Sequence, residues 1–373
     1  MATNLHIVSF DVPYPADYGG VIDVFYRLKA LHNLGAHIHL HTFTYGRPEA
    51  KELEQYCSEV TYYRRKTGIF SALSRKPYIV QSRESKKLID NLKKDNNPIL
   101  LEGLHCCSVL EALDNRRILV RAHNVEHEYY DRLANSEANL FRRIYLRTDA
   151  RRLKRYEPIL FKADAILSVT EADAAHFRSI GCKNVYLMPS SHNADKVTSI
   201  PSNPDEMGYA LYHANLSVQE NIDAIRYLAE HIIPKTTSSF VIAGRNPSRY
   251  VIDTIDSLPN ARLVPNPDDE TMQHLITNAQ VHILFTNQPT GLKLKLLKSL
   301  FSGRHCLVNS NMVAGTELGR LCTLADNTDE QISQLNRLMH TPFTDNDIQQ
   351  REQLLGNLYS DQANARTLLS ILD

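Results

Sequence analysis

The 373-residue sequence lacks several features that define well-known classes of protein. No apolar run approaches the roughly 20 residues that a membrane-spanning helix needs, so we expect no integral membrane protein. The N-terminus, MATNLHIVSFDVPYP, enters an apolar run without a basic region or a cleavage site, and we therefore expect no signal peptide. The six cysteines form no CxxC pair and no metal or disulfide framework, which favours a reduced, cytoplasmic setting.

Common nucleotide and metal signatures are absent as well. The sequence contains neither GxGxxG nor a Walker pattern, which excludes the ordinary dinucleotide and P-loop fingerprints. His123, Glu126 and His127 lie close together but not in the HExxH order, so we predict no metal site there. Glu126 and Glu128 are instead typical of the first turn of a helix, where acids are favoured by the helix dipole.

The chain also has no net charge, because its 42 basic and 42 acidic side chains balance. Their distribution is uneven: residues 1–188 carry six more basic than acidic side chains, and residues 189–373 carry six more acidic ones. The basic excess is concentrated in FRRIYLRTDARRLKRYE, residues 141–157. Such a surface can contact an anionic membrane or face an acidic neighbour, and a solvated helix is an equal alternative.

Short apolar runs alternate with helical periodicity, which predicts an α/β fold with mostly parallel sheets. We expect residues 1–188 and residues 208–343 to form two doubly wound, Rossmann-like domains. The polar, proline-containing stretch 189–207 is the predicted linker, and residues 344–373 are predicted helices that pack back across the first domain. Parallel strands end at one edge of each sheet, so a cleft shared by both domains is the expected site of a nucleotide-type ligand.

Strands are predicted at the short apolar runs. They cover residues 5–10, 36–43, 98–103, 116–123, 163–169, 185–189, 208–214, 238–244, 279–285 and 304–310.

Two glycines and a histidine are candidate binding residues of the first half. Gly19 and Gly20 open a predicted helix, where paired glycines let backbone N–H groups approach an anion; a plain turn into the helix is the alternative. His123 directly follows a predicted strand. From that position its imidazole can donate to a substrate hydroxyl or hold a phosphate.

Cations are the candidate site residues of the second half. Arg245 leaves a predicted strand at its tip, where a guanidinium can hold a phosphate through two hydrogen bonds; a solvated loop arginine is the alternative. Lys293, Lys295 and Lys298 occupy the start of a predicted helix in PTGLKLKLLKSLFSG, with no acid among them. Cations there oppose the helix dipole. A bound diphosphate would offset that penalty, and a solvated lysine-rich face is the alternative.

Taken in order, these segments resemble the GT-B glycosyltransferases of the group 1, family 4 type over nearly the whole chain. ADYGGVIDVFYRLKALHNLGAHIHLHTF is similar to the family's opening, a glycine pair followed by LxxLGHxVxVxT. RAHNVEHEYYDRLA, RRLKRYEPILFKADAILSVTEADAAHF, FVIAGRNPSRY and VPNPDDETMQHLITNAQVHILF follow in family order. TGLKLKLLKSLFSGRHCLVNS is similar to the family's GxGIRLKVLEAMAAGKPVVAT.

The resemblance implies a GT-B fold in which two Rossmann-like domains face a central cleft. It implies a nucleotide-diphosphate sugar as donor on the C-terminal domain and a glycan or lipid-linked acceptor on the N-terminal domain. The implied reaction is a retaining hexosyl transfer in the synthesis of cell-surface polysaccharide or glycoconjugate, without metal or cofactor. The expected surroundings are the cytoplasm and the inner face of an anionic membrane, and we expect no nucleic-acid partner.

The resemblance also implies roles for individual residues. Gly20 approaches the donor phosphate, His123 contacts the sugar, and Arg245 and Lys295 neutralise the diphosphate as it leaves. Gly19, Asn124, Gly291, Lys293 and Lys298 are the other candidate substrate-binding positions.

This sequence departs from the family pattern at several positions. Lys298 stands where the family has a glutamate that binds the nucleotide ribose, and a lysine cannot accept hydrogen bonds from the ribose hydroxyls. Thr290 stands at the preceding acidic position, PSSHNAD replaces PNGVD, and LYHANLS lacks the glycine of FVGxLx. These departures favour a second hypothesis, a catalytically silent homologue that binds a glycan or a partner glycosyltransferase. A nucleotide-sugar epimerase of the same architecture fits the ordered motifs less well.

Overall fold

The computed structural model describes residues 3–68, 74–202, 208–289 and 291–372. The chain forms two compact units. The first comprises Met1–Asn193 together with Asp361–Asp373, and the second comprises Ala194–Ser360.

The strands of the first unit form one sheet. They are β1 (Asn4–Ser9), β2 (His37–Thr44), β3 (Glu59–Arg64), β4 (Ile99–Glu102), β5 (Ile118–Ala122), β6 (Ala165–Ser168) and β7 (Val185–Leu187). Their order across the sheet is β3-β2-β1-β4-β5-β6-β7, and every pairing is parallel.

The second unit is built on the same plan. Its strands are β8 (Ala210–Asn215), β9 (Phe240–Arg245), β10 (Ala261–Pro265), β11 (Val281–Leu284), β12 (His305–Val308) and β13 (Thr323–Leu324). They lie in the order β10-β9-β8-β11-β12-β13, again with parallel pairings only. The expectation of two doubly wound α/β units is therefore confirmed.

Helices connect the strands in both units. The α-helices of the first unit are Gly19–Asn33, Tyr78–Gln81, Lys86–Leu92, Glu126–Ser136, Leu140–Tyr156, Glu171–Ser179 and Asp361–Leu372. Those of the second unit are Gln219–Tyr227, Arg249–Asp256, Asp269–Asn278, Leu294–Ser302, Ser310–Val313, Thr328–Met339 and Asp345–Leu358. Short 3₁₀ or π segments cover Lys51–Gln55, Leu104–Glu111, Glu157–Lys162, Leu228–Ile232, Ile233–Lys235 and Glu317–Leu321. No helix of the described residues is both long and apolar enough to cross a bilayer.

The first helix shows how the sequence determines an element and what that element carries. Gly19–Asn33 buries Val24, Leu28 and Leu31, which recur at the helical spacing of three and four residues. Gly35 follows with a φ of 82°, a left-handed conformation that suits glycine after a helix end. The same buried face also carries charged side chains, and these belong to the candidate site described below.

Each sheet contains one point at which the direction of strand addition reverses. This point lies between β1 and β4 in the first unit and between β8 and β11 in the second. The loops that leave the carboxyl ends of the two central strands run in opposite directions there. In open α/β sheets, ligands bind in the crevice that results.

The boundaries of the units differ from the expected ones in the C-terminal segment. Helix Asp345–Leu358 belongs to the second unit, where Leu355 and Tyr359 join the hydrophobic core. Of the predicted segment 344–373, only the helix Asp361–Leu372 packs in the first unit. The Asp361 carboxylate anchors that helix by accepting hydrogen bonds from the backbone of residues 192 and 193.

Candidate functional site

A group of buried charged side chains lies at the carboxyl edge of the first sheet. Glu102 is the last residue of β4, and His123 directly follows β5. The His123 Nε2 atom lies 2.9 Å from a Glu102 oxygen, and its Nδ1 atom lies 3.4 Å from a carboxylate oxygen of Asp23. Arg121 donates from Nε to Asp23 at 2.9 Å, and Arg27 lies 3.2 Å from Glu102. Two carboxylates, two guanidinium groups and one imidazole therefore form a single network.

Asp23 is the centre of this network. Its carboxylate also contacts Arg27, and it accepts a hydrogen bond of 2.7 Å from the backbone N–H of Ser191. Burial alone would raise the pKa of Asp23, but the guanidinium groups of Arg121 and Arg27 outweigh burial and hold that pKa well below its usual range. The charged form of Asp23 is thus part of the folded state, and it helps to fix the ring of His123.

Phe10 brings two of the predicted residues of this unit together. Its ring meets the His123 ring edge-on, with 5.4 Å between the centroids. A Cβ atom at Gly20 would lie 2.8 Å from Cζ of Phe10, so only glycine fits without moving this ring. A Cβ atom at Gly19 would have no neighbour within 4 Å. Gly20 therefore packs beside His123, whereas packing gives no reason for a glycine at position 19.

The remaining predicted residue of the first unit, Asn124, lines a small cavity together with Glu126 and Glu157. Helix Glu126–Ser136 begins two residues later, with Glu126 and Glu128 in its first turn, as the sequence predicted. Because both ring nitrogens of His123 face carboxylates, its imidazole can donate to a substrate only by giving up one of these contacts.

In the second unit, Lys295 is held in place by neutral oxygen atoms. Its ammonium group lies 3.1 Å from Oδ1 of Asn221 and 3.4 Å from the Tyr212 hydroxyl. It also lies over the Tyr212 ring, 5.1 Å from the centroid, in a cation–π arrangement. These contacts orient a positive charge without neutralising it.

The lysine helix begins at Leu294, with Lys293 in the capping position before it. The acid that the sequence around the lysines lacks is supplied by another helix. Glu220, in the first turn of Gln219–Tyr227, is the carboxylate that favours the charged forms of Lys293 and Lys295. Glu220 also accepts a hydrogen bond from the Thr286 hydroxyl, just beyond β11. These residues lie next to the reversal point of the second sheet.

Arg245 and Lys298 belong to the same group of cations at the carboxyl edge of the second sheet. We call Arg245, Lys295 and Lys298 the cationic surface. Arg245 ends β9, and its guanidinium lies 3.7 Å from the Asp269 carboxylate, a contact between two exposed side chains that contributes little stability. Asp269 also acts on Lys298 and favours its charged form, whereas Arg245 opposes it. Among the three lysines, Lys295 therefore adjoins Glu220 and Lys298 adjoins Arg245.

The pKa values of the lysines report how strongly this surface is desolvated. The pKa of Lys295 is lowered to about 8: burial lowers it most, Glu220 opposes the change, and Lys293 adds a smaller decrease. Burial also lowers the pKa values of Lys293 and Lys298. Half-buried ammonium groups with lowered pKa values are destabilising until an anion reaches them, which is typical of a binding site.

The loop before the lysine helix contributes one further predicted residue. Gly291 has a φ of 72°, a conformation that favours glycine, and a Cβ atom there would meet nothing within 4 Å. Thr290 lies outside the described residues.

Several residues of both clusters are absent from the sequence-based prediction. Glu102 and Arg121 carry a signal, because each is a charged residue at the end of, or within, an otherwise apolar buried strand. Glu220, Asn221 and Tyr212 carry none, because they approach Lys295 from segments about 75 to 85 residues away in the chain.

The two parallel sheets and their helices define the fold class: the chain has the GT-B fold of glycosyltransferases. No family model matches the chain. In sequence, it is 36% identical over 148 residues to an uncharacterized 44.6 kDa protein in the cps region of Klebsiella pneumoniae, a match that spans 37% of this chain and 38% of that protein.

Solved structures resemble the chain over nearly its whole length. The lipopolysaccharide outer core galactosyltransferase WaaB in its apo form has a TM-score of 0.66 and 13% identity, with 99% of each chain covered. TarM has a TM-score of 0.67 and 11% identity, with 100% of this chain and 99% of that chain covered. Anabaena HepE in complex with UDP and glucose has a TM-score of 0.62 and 12% identity, with 99% of this chain and 100% of that chain covered.

Proposed function

We propose that this protein is a metal-independent glycosyltransferase that moves a hexosyl unit from a nucleotide-diphosphate sugar to a glycan or lipid-linked acceptor with retention of configuration. The observation that carries the proposal is the cationic surface of Arg245, Lys295 and Lys298 at the carboxyl edge of the second sheet. Among the described residues, no carboxylate forms a salt bridge with Lys295 or Lys298. The surface therefore has charge available for a diphosphate.

The chemistry requires such cations. When the bond between the sugar and the donor breaks, negative charge develops on the departing diphosphate oxygen. Ammonium and guanidinium groups that are already desolvated and oriented stabilise this charge more than water does, because they need no reorganisation during the reaction. In this proposal Lys295, held by Asn221 and Tyr212, and Arg245 act on the diphosphate. Lys298, which cannot accept from ribose hydroxyls, adds a further cation to the same surface.

The similar proteins support the substrate class and the process. The relative from Klebsiella pneumoniae is described by its place in the cps region, WaaB is a lipopolysaccharide galactosyltransferase, and HepE was solved with UDP and glucose. They favour a nucleotide sugar as donor and cell-surface polysaccharide or glycoconjugate synthesis as the process. The first unit, with His123 and Asn124, is in this proposal the acceptor side.

Two measurements separate this proposal from a catalytically silent homologue, the alternative that Lys298 favours. Calorimetric titration with UDP-, GDP- and ADP-sugars should give one donor with an affinity between micromolar and millimolar, the range usual for enzyme substrates. Incubating that donor with an acceptor extract and determining the anomeric configuration by NMR should give transfer with retention. Binding of no donor contradicts both donor recognition and catalysis, and inversion contradicts the proposed stereochemistry.

Donor binding should weaken as the pH rises above 8. The pKa of Lys295 is about 8 in the free protein, and a bound diphosphate favours the charged form. The affinity is thus close to its maximum at pH 7, and it decreases about tenfold between pH 7 and pH 9 if Lys295 alone titrates. Calorimetry at several pH values measures this slope. Lys295→Arg, which stays charged throughout, is the matched control and should show a smaller slope.

We also propose that the first unit binds the inner surface of an anionic membrane through helix Leu140–Tyr156. Its first turns expose Phe141 (84%), Leu140 (62%) and Ile144 (55%), although such side chains are usually buried. The same helix carries the basic side chains at 142, 143, 147, 151, 152, 154 and 155. Exposed apolar side chains next to basic ones are typical of helices that lie in a membrane interface.

Replacing both Phe141 and Ile144 by serine should therefore reduce binding to anionic vesicles, because the helix loses the apolar side chains that would insert into the membrane. Co-sedimentation with phosphatidylglycerol vesicles measures the effect, and we expect at least a tenfold loss for the double variant. Phe161→Ser, which removes an exposed aromatic ring from a neighbouring segment, is the control and should bind normally. Wild-type binding that is absent, or insensitive to salt, would contradict the membrane proposal.

A further inference from the structure

A second cluster of ligand-type side chains lies on the first unit, apart from the network around Asp23. His127 lies at the start of helix Glu126–Ser136, Glu157 starts the segment after helix Leu140–Tyr156, and His176 lies on the helix after β6. One ligand atom from each of the three residues lies within 4.8 Å of the other two. We propose that His127, Glu157 and His176 bind one zinc ion.

The distances within the cluster match a zinc site. Nδ1 of His127 lies 3.2 Å from one Glu157 oxygen, and Nε2 of His176 lies 3.0 Å from the other. Zinc binds histidine nitrogen and carboxylate oxygen at about 2.0–2.2 Å, so two ligands of a tetrahedral site lie about 3.3 Å apart. Small side-chain movements would thus place the three atoms around one ion. Two histidines and one carboxylate are also a known ligand set for zinc.

The fourth ligand of the ion would be a water molecule, and the cavity that Asn124 lines has room for it. Glu157 and Glu126 both line it, and its volume of about 10 Å³ suits a single water-sized occupant. The side chain of Glu126 is only 5% exposed and lines this cavity. A carboxyl group in such surroundings is stabilised by a hydrogen-bond partner. A water molecule bound to the ion would provide that partner.

The network around His123 is a poorer metal site, although Asp23, Glu102 and His123 also bring ligand atoms within 4.8 Å of one another. Arg27 and Arg121 already neutralise these carboxylates, and a divalent cation there would face two guanidinium groups. No arginine or lysine forms a salt bridge with Glu157 among the described residues. Of these two clusters in the described part of the chain, the one at Glu157 is therefore preferred for zinc.

The consequence of the site is mechanical. The ion would add a link between three segments that already share two hydrogen bonds to Glu157 and a ring contact between His127 and His176. One of these segments directly follows the loop with His123 and Asn124, so zinc would fix that loop. The inference does not depend on the transferase proposal, because it concerns a structural ion.

The test uses the full-length, tag-free protein, stripped with a chelator and then titrated with Zn²⁺. We expect one zinc ion per chain by calorimetry and by elemental analysis, and a higher melting temperature with zinc than without it. His176→Gln, the most exposed of the three ligands, should weaken zinc binding at least tenfold and abolish the thermal shift. The melting temperature of the stripped variant, compared with the stripped wild type, shows whether it folds.

His274→Gln and His123→Gln serve as controls. The first removes an exposed histidine, and the second removes the ligand of the alternative cluster. Both should bind zinc as the wild type does, and Mg²⁺ should not compete, because it prefers oxygen ligands. The inference is overturned if the wild type binds no zinc, if His123→Gln abolishes binding, or if folded His176→Gln binds zinc normally.

Discussion

Lys295→Ala is expected to lower kcat/KM for the nucleotide sugar by about 10²–10³-fold, the effect usual for removing one preorganised group that stabilises developing charge. Asn221 and Tyr212 hold its ammonium group in place, and burial lowers its pKa to about 8. The loss should appear in kcat as well as in KM, because the negative charge on the leaving oxygen is largest in the transition state.

The thermal stability of the Lys295→Ala protein provides a control for this prediction. A half-buried ammonium group with a lowered pKa destabilises the folded state, so the free protein should not melt lower without it. Lys235→Ala, at an exposed lysine of the same unit, is the matched control and should keep full activity. An active Lys295→Ala enzyme would contradict the assignment of this residue to the diphosphate.

Asp23→Asn is expected to lower the free energy of unfolding of the first unit by about 3–5 kcal/mol, the effect of removing one member of a buried charge network. Asp23 is fully buried and contacts Arg27, Arg121 and His123. Asparagine has the same shape but no charge, so two guanidinium groups would lose their main counter-ion inside the protein.

Urea unfolding followed by circular dichroism, with hydrogen exchange of the β5 amides, measures this loss. The control is Asp17→Asn, which removes the same charge from an exposed side chain that pairs with half-buried Arg47 and should change stability by less than about 1 kcal/mol. Equal effects of the two substitutions would show that the network around Asp23 does not stabilise the unit.

The central strands of both sheets follow from the sequence, whereas several edge strands do not. Strands β1, β4 and β5 have interiors of consecutive apolar residues, which fully buried parallel strands require. Nearly all positions of the edge strands β3 and β10 are exposed or half-buried, so their apolar signal is weak, and β13 has only two residues. The sequence-based prediction missed all three.

The residues of the candidate site also differ in whether the sequence predicts them. Arg245 at a strand tip and the lysines at a helix start follow from local patterns, because the ends of elements are set by nearby residues. The partners of Lys295 do not, since Glu220 and Asn221 reach it only through the pairing of β8 with β11. Likewise, His127 and His176 meet at Glu157 across separate helices, which no short motif encodes.

The most direct test of the diphosphate site is a thermal-shift panel of UDP-, GDP- and ADP-sugars on four proteins. We expect one donor to raise the melting temperature of the wild type and of Arg249→Ala, which removes an exposed arginine paired with Asp253. We expect little or no shift for Arg245→Ala and Lys295→Ala. A donor that stabilises all four proteins equally would contradict the assignment of the diphosphate site to Arg245 and Lys295, because the diphosphate would then bind elsewhere.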